Sequence, residues 1–135
     1  MAGKLEFELV SPERLLLSKT VEMVVVPGAD GNFGVLKGHA PLTSTVRVGT
    51  IDVYDDRPTI SERIFVAGGF AEVTPERCTV LAETAIAVSD LTADGVAQEV
   101  KNLEEDLADA KDESAKAKIA AALDIAKAKQ AAVTA

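Results

Sequence analysis

The spacing of apolar residues changes once along the chain, and this change limits the folds that the chain can adopt. Up to about residue 87, apolar side chains alternate with polar ones, as at Leu5, Phe7 and Leu9, which is the period of a β-strand. From Thr92 onward they recur every three or four positions, which is the period of an amphipathic helix. The sequence therefore predicts a β-domain over residues 1–88 and an α-helical hairpin over residues 89–135.

Proline and glycine divide the first part into short segments. These breakers recur about every ten residues, for example at positions 27–34 and 68–69. Val21, Met23 and Val25 alternate between two such breakers and predict one strand. Because segments this short leave no room for helical crossovers, the pattern predicts an antiparallel β-sandwich or a flattened barrel.

Two helices are predicted in the second part, over about residues 93–110 and 114–133. Thr92 and Ser114 are the predicted N-caps, because a hydroxyl oxygen can accept hydrogen bonds from the free amides of a first helical turn. A short polar link between two helices is typical of a hairpin. The residues predicted to pack the two helices together are Val96, Val100, Leu103, Leu107, Ile119, Leu123 and Ala126.

The charges of the two predicted helices have opposite signs. Residues 94–113 hold eight acids and two lysines, a net charge of −6, and the residues after them hold four lysines and one aspartate, a net charge of +3. Antiparallel packing would place these charges side by side, although each exposed ion pair contributes only about 0 to 1 kcal/mol.

The acidic character of the whole chain excludes several partners. Fourteen Lys and Arg against 22 Asp and Glu give a net charge of −8, so nucleic acid is not an expected partner. The longest stretch without a charge, residues 38–46, has nine residues, whereas a membrane-spanning helix needs about 20. The N-terminus has neither an apolar signal core nor an Arg-rich transit helix. We therefore expect a chain that is cytosolic or faces the cytosol.

A glycine-rich segment, residues 27–34 (PGADGNFG), has the composition of a ligand-binding loop. A phosphate cradle needs the amides of a helix N-terminus and usually a lysine, but this segment leads into a strand pattern and carries Asp30. A calcium loop needs a bidentate Glu at its twelfth position, where this chain has Pro41. The segment is therefore interpreted as a tight turn between strands or as a protein-contact loop with Phe33 at its tip.

No pattern in the sequence indicates catalysis. His39 is the only histidine, and its neighbours Gly38 and Ala40 suggest a turn, with no nucleophile elbow in the chain. Cys78 lies in a strand pattern and is interpreted as a small buried residue. The acids of residues 104–113 have no histidine companion and are interpreted as a solvated helix face. The residues thus indicate a non-enzymatic adaptor without catalytic, cofactor or metal sites.

Four short segments of the β-domain resemble one known family when they are taken in order. They are residues 10–14 (VSPER), 26–36 (VPGADGNFGVL), 38–42 (GHAPL) and 67–73 (AGGFAEV). Together they resemble the epsilon subunit of the F-type ATP synthase, called delta in mitochondria. The resemblance is specific over about residues 4–88 and looser after them.

This resemblance implies a fold and a role. The fold is an all-β sandwich of about ten short antiparallel strands, followed by an antiparallel two-helix hairpin. The role is that of a non-catalytic rotor subunit in the central stalk, which couples the membrane c-ring to the gamma subunit at the cytoplasmic face of a bacterial inner membrane. The hairpin adds the alpha and beta subunits as candidate partners. The alternative hypothesis is a free-standing cytosolic β-sandwich that binds another protein.

The resemblance also implies contact residues in the sandwich. The turn that faces the c-ring in the family corresponds to Asp30, Gly31, Asn32 and Phe33, with Asn32 where relatives often carry an acid. The segment that lies toward the gamma subunit corresponds to His39, Ala40, Pro41, Leu42 and Thr43.

The helical part departs from two properties of the family. Some relatives bind ATP through a motif with an acid and an arginine at the start of the first helix, and residues 91–96 (LTADGV) have neither in place. Some relatives also use basic residues of the second helix to block rotation in the hydrolysis direction. Only Lys116, Lys118, Lys127 and Lys129 are available here, which predicts a weak or absent brake.

Overall fold

The computed structural model describes residues 3–134 and separates them into two compact units. One unit ends at Ala87 and the other begins at Val88, one residue before the boundary expected from the sequence. The first unit is built from strands and the second from helices.

The first unit is a sandwich of two five-stranded sheets, which confirms the predicted fold class. Sheet I has the strand order β2-β1-β9-β8-β5, and sheet II has the order β10-β7-β6-β3-β4. The strands are β1 Leu5–Val10, β2 Leu15–Val21, β3 Met23–Gly28, β4 Gly31–Leu36, β5 Leu42–Thr45, β6 Gly49–Tyr54, β7 Glu62–Val66, β8 Gly69–Val73, β9 Arg77–Ala82 and β10 Ala85–Ala87.

One strand pair corrects the expectation of an antiparallel sandwich. β1 and β9 run parallel, from the pair Glu6 and Arg77 to the pair Val10 and Leu81, whereas the other pairs of named strands are antiparallel. A parallel pair needs a long connection between its strands. Here the connection consists of the seven strands from β2 to β8, after which β9 lies beside β1. Local residue spacing does not reveal this pairing.

The strand predicted from Val21, Met23 and Val25 is also corrected. β2 ends at Val21 in sheet I and β3 begins at Met23 in sheet II, so the chain changes sheet at Glu22. The change of sheet shifts the alternation by one residue: Val24 is buried, whereas Met23 and Val25 are half-buried. An uninterrupted alternation therefore concealed a boundary between two strands.

The core of the sandwich lies between the two sheets and is apolar. Burial of each large side chain removes apolar surface from water. Each Å² of this surface stabilises the fold by about 25 cal/mol, which makes burial the main source of stability. Cys78 of β9 belongs to this core, as the sequence predicts, and its burial raises the pKa of the thiol to about 12. The largest fully buried side chains are Phe7, Phe65, Leu5, Ile51, Val21, Val24, Val26, Val35, Val46, Val53, Val66 and Val73.

Ion pairs connect the two sheets at one end of the sandwich. Nζ of Lys19 in β2 lies 2.8 Å from Oδ1 of Asp55, which follows β6, and 3.1 Å from Oε2 of Glu62 in β7. The Lys19 ammonium holds the pKa of the Asp55 carboxyl below its usual range, and the same contact raises the pKa of Lys19. We refer to Lys19, Asp55 and Glu62 as the ion cluster.

The second unit is a short 3-10 helix, Val88–Asp90, followed by helices α1 Ala93–Asp109 and α2 Glu113–Thr134. Thr92 caps α1 as predicted, since its Oγ1 accepts a 3.1 Å hydrogen bond from the amide of Gly95. Ser114 was the wrong cap for α2. Oδ1 of Asp112 accepts a 2.8 Å bond from the amide of Ala115, and the aspartate charge is favoured at a helix N-terminus.

The two helices pack through a small cluster of side chains. Val100, Leu123 and Ala126 are buried together, with Leu103 and Leu107 packed against them. Of the other residues in the predicted stripe, Val96 is buried and Ile119 is half-buried outside this cluster. Lys129 near the end of α2 lies 3.3 Å from Glu99 near the start of α1, so the helices are antiparallel.

Candidate protein-contact surfaces

The glycine-rich segment forms a tight turn between β3 and β4. Ala29 and Asp30 connect the strands, and the reversal is completed at Gly31, whose φ of 135° favours glycine. Asp30, Gly31 and Asn32 are exposed to solvent, and Phe33 is half-buried. We call residues 28–33 the β3–β4 tip. It contains the four residues predicted to face a c-ring.

Two of those four side chains are engaged within the sandwich. Oδ1 of Asn32 accepts a 2.6 Å hydrogen bond from Nη2 of Arg47. Phe33 packs against the core and lies over Gly28, where an added Cβ would meet the ring at 2.8 Å. Asp30 and Gly31 therefore form the outermost part of the tip.

The segment predicted to contact a gamma subunit connects β4 to β5. Gly38 has a φ of 90°, and its amide donates a 2.6 Å hydrogen bond to the carbonyl of Pro75. Nδ1 of His39 lies 2.7 Å from the carbonyl oxygen of Ala40, a contact within the turn itself. Pro41, Leu42 and Thr43 are exposed.

The tip and β5 share one open depression of about 320 Å³. Its walls are formed by Asp30, Asn32 and Phe33 from the tip side and by Leu42, Thr43 and Ser44 from β5. The structure thus brings together parts of both predicted contact segments, although eight residues lie between Phe33 and Leu42 in the sequence.

An exposed apolar row crosses sheet I. Val10 of β1 pairs with Leu15 of β2 and with Leu81 of β9, and Leu81 pairs with Phe70 of β8. Paired residues point to the same face of a sheet. Leu15, Phe70 and Leu81 are 54%, 48% and 45% exposed. We call Val10, Leu15, Phe70 and Leu81 the apolar row, and sequence reasoning missed it.

A signal for the row does exist in the sequence. In β9, the buried residues Cys78 and Val80 alternate with outward-facing Arg77, Thr79 and Leu81. Leu81 is therefore an apolar residue at a position where water normally selects a polar one. That Phe70 lies beside it depends on strand pairing, which the spacing of residues does not supply.

The rest of the outer face of sheet I is polar. Arg77 lies 2.9 Å from Oε2 of Glu6 and 3.3 Å from Oε1 of Glu8, and the Thr79 hydroxyl donates to the same Glu8 oxygen at 3.3 Å. Along the strands, one end of this face is therefore charged and the other end is apolar. A partner surface with charged and apolar regions at matching ends would bind in one orientation.

The four lysines of α2 differ in their surroundings. Lys129 pairs with Glu99, and Lys116 lies 3.8 Å from Glu113 within its own helix. Lys118 and Lys127 are exposed. Two of the four candidate regulatory cations are therefore in ion pairs inside the hairpin.

Within residues 3–134, no three His, Cys, Asp or Glu side chains gather in an arrangement that could hold a metal ion. Over the same residues, no helix combines the length and the hydropathy that a bilayer crossing requires.

Comparison with known proteins identifies the family. Residues 4–88 match the family described as ATP synthase, Delta/Epsilon chain, beta-sandwich domain. The ATP synthase epsilon chain of Rhodospirillum centenum is 62% identical over 114 residues, which cover 82% of this chain and 78% of that one. The chain belongs to the ATP synthase delta/epsilon family. The epsilon chain of Paramagnetospirillum magneticum is 53% identical over 133 residues, covering 98% of this chain and 99% of its own length.

Family membership confirms the prediction of a non-catalytic ATP synthase subunit and gives no support to a free-standing binding module.

Solved structures have the same fold as this chain. A chain in the mitochondrial ATP synthase of Euglena gracilis, determined with OSCP, F1 and c-ring, has a TM-score of 0.83 at 18% identity. The alignment covers 98% of this chain and 83% of that chain. A chain in the central stalk and c-ring structure of Tetrahymena thermophila has a TM-score of 0.68 at 13% identity, covering 98% of each chain.

Proposed function

We propose that this chain is a rotor subunit of the ATP synthase central stalk, in which the sandwich couples the c-ring to the gamma subunit. The apolar row on sheet I carries the proposal. Contiguous exposed apolar side chains on a monomer mark protein contacts, and aromatic residues such as Phe70 are enriched at protein–protein interfaces. In this proposal the row docks on gamma.

The remaining sandwich contacts extend the same proposal. The segment from His39 to Thr43 adds a second gamma contact beside β5, and the outermost part of the β3–β4 tip faces the polar loops of the c-ring. The amide of Ala29 donates a 3.0 Å hydrogen bond to the carbonyl of Thr45, so the tip is joined to the end of β5. Thr45 pairs with Phe70, which brings the ring-facing tip and the apolar row to the same end of the sandwich.

For the hairpin we propose a weak or absent brake on ATP hydrolysis and no physiological ATP binding. Lys116 and Lys129 have acidic partners within the hairpin, so fewer cations are free for the acidic loops of beta subunits. Residues 91–96 lack the arginine that would hold a phosphate. The subunit is proposed to act at the cytoplasmic face of a bacterial inner membrane as a peripheral component of the complex.

Binding to the gamma subunit tests the proposal. The full chain should co-purify with gamma, and the double variant Phe70→Ser, Leu81→Ser should bind it about tenfold or more weakly, because it removes two adjacent apolar side chains of the row, one of them its only aromatic ring. The matched control is Val48→Ser, since Val48 is 38% exposed but lies outside the row. Equal affinities for the double variant and the control would reject the row as the docking surface, and a chain that fails to bind gamma would reject the rotor role.

A further inference from the structure

Arg47 lies 15 residues from Asn32 in the sequence, yet its guanidinium contacts both strands of the β3–β4 tip. We infer that Arg47 is a positioning residue that fixes the shape of the tip, and that Asn32 serves as the partner of Arg47 instead of contacting a c-ring directly. The statement that Asn32 does not contact the ring rests on the proposed function, whereas the statement that Arg47 fixes the shape of the tip is independent of it.

The first contact is to the end of β3. Nη1 of Arg47 donates a 2.6 Å hydrogen bond to the carbonyl of Gly28, the last residue of that strand. The backbone amide of Arg47 also donates to the carbonyl of Pro27 at 2.9 Å. Because the main chain of Arg47 is already attached to β3, its side chain reaches the tip from a fixed starting point. Hydrogen bonds from a charged donor are shorter and stronger than those between neutral groups.

The second contact is to β4. Nη2 of the same guanidinium donates to Oδ1 of Asn32 at 2.6 Å, so one planar group connects the two strands on either side of the turn. This arrangement depends on the planar guanidinium of arginine, in which two nitrogens at fixed positions donate to different acceptors. A lysine offers a single ammonium on a flexible stem and cannot hold two acceptors in the same fixed geometry.

The opposite support of the tip is the ring of Phe33. It packs against the core and approaches Gly28 so closely that no Cβ would fit there without displacing the ring. Gly28 is thus held by Arg47 through its carbonyl and covered by Phe33. Oδ1 of the exposed Asn32 and the half-buried ring of Phe33 are both engaged by residues of the sandwich itself, whereas Asp30 and the backbone at Gly31 form the outermost part of the turn.

Hydrogen exchange of the full chain tests the support by Arg47. In Arg47→Met and in Asn32→Ala, the amides of Gly31 and Asn32 should exchange about fivefold faster or more, because a charge-assisted bond across the turn is lost. Arg47→Lys should give a smaller increase, because its ammonium can still donate to one of the two acceptors. The control is Arg14→Met, the same change at an exposed arginine of the β1–β2 turn, which should leave these amides unchanged. Exchange in Arg47→Met equal to that of the control would overturn the inference.

Attachment to the ring tests the role of Asn32. The full chain in complex with gamma is bound to membranes that carry the c-ring after removal of F1. If Asn32 acts through Arg47, Asn32→Ala and Arg47→Met weaken attachment by similar factors, and the double variant is no weaker than either. If Asn32 contacts the ring itself, Asn32→Ala weakens attachment further in the Arg47→Met background, which would overturn the assignment of Asn32.

The two experiments separate the inference from the proposed function. A wild-type complex that does not attach to these membranes would reject the rotor role, whereas the exchange data would still decide whether Arg47 supports the tip. Asn32→Asp provides a rescue, because a carboxylate can accept the same bond from Arg47. This variant should keep the slow exchange of the wild type, and faster exchange would count against the contact.

Discussion

The sandwich and the hairpin obtain their stability from different amounts of buried apolar surface. Seventeen described residues of the sandwich form one buried cluster, which includes Phe7 and Ile51. In the hairpin the corresponding cluster has three buried residues, of which Ala126 contributes almost no side chain. Because hydrophobic stabilisation scales with buried area, the sandwich is a rigid support for fixed contacts. The hairpin is held by few contacts and depends more on its caps and ion pairs.

The largest expected effect is the loss of a core aromatic from the sandwich. Phe7→Ala should lower the free energy of unfolding by about 3–5 kcal/mol, because it removes a fully buried ring and leaves a cavity in a close-packed core. Urea denaturation of the full chain measures the change. The matched control is Phe70→Ala, at a ring that is half exposed, which should cost far less. Similar losses at both positions would contradict the assignment of Phe70 to a surface row.

A smaller loss is expected for the hairpin core. Leu123→Ala should lower the stability of the hairpin by about 2–3 kcal/mol, the low end for such a change, because the cluster to which Leu123 belongs has few buried residues. Hydrogen exchange of the α1 and α2 amides reports this local stability. Ile119→Ala, outside the buried cluster, should cost less. A larger loss at Ile119 than at Leu123 would contradict the assignment of Leu123 to the buried centre of the hairpin.

Each of the two N-caps in the hairpin, Thr92 and Asp112, should contribute about 1 kcal/mol to the stability of its helix. Thr92→Ala and Asp112→Ala remove the side-chain oxygen that accepts a first-turn amide, and each should increase exchange at the start of its helix. Ser114→Ala is the discriminating control, because Ser114 lies within the first turn of α2. If Ser114→Ala loosened α2 more than Asp112→Ala, the cap assigned by the structure would be wrong.

The smallest expected effect concerns pH and the ion cluster. The pKa of Asp55 is lowered in the fold, so its contribution is present above the usual value of about 3.9 and is lost as pH falls through the folded pKa. The pKa of Lys19 is raised, so its contribution is present below about 10.4 and is lost as pH rises through the folded pKa. Both groups are partly exposed, which limits the effect to about 1 kcal/mol or less.

Comparison of wild type with Lys19→Met checks this dependence. The difference in unfolding free energy should be largest between about pH 5 and pH 9 and should shrink outside that range. Lys118→Met changes an exposed lysine of the hairpin and should show no such maximum. A difference that stays constant from acid to alkaline pH would exclude the ion cluster as its source.

The sequence predicted the features that depend on neighbouring residues. Thr92 was identified as a cap because capping needs only a hydroxyl three residues before a free amide. Ser114 was predicted as a cap on the same local rule, and the prediction was wrong because Asp112, two positions earlier, accepts the first-turn amide instead. The turn at residues 27–34 was recognised from its glycines, but the arginine that supports it was not, since Arg47 reaches it through the fold.

By itself, the sequence determined the two architectures, the family and the absence of an evident catalytic pattern, because periodicity and short ordered motifs are properties of the chain in one dimension. Only the tertiary structure decided which strands are neighbours. The parallel pairing of β1 with β9 brings Val10 beside Leu81, and the pairing of β8 with β9 adds Phe70 to the row. Such contacts join residues that are distant along the chain, so they exist only after the sheets have formed.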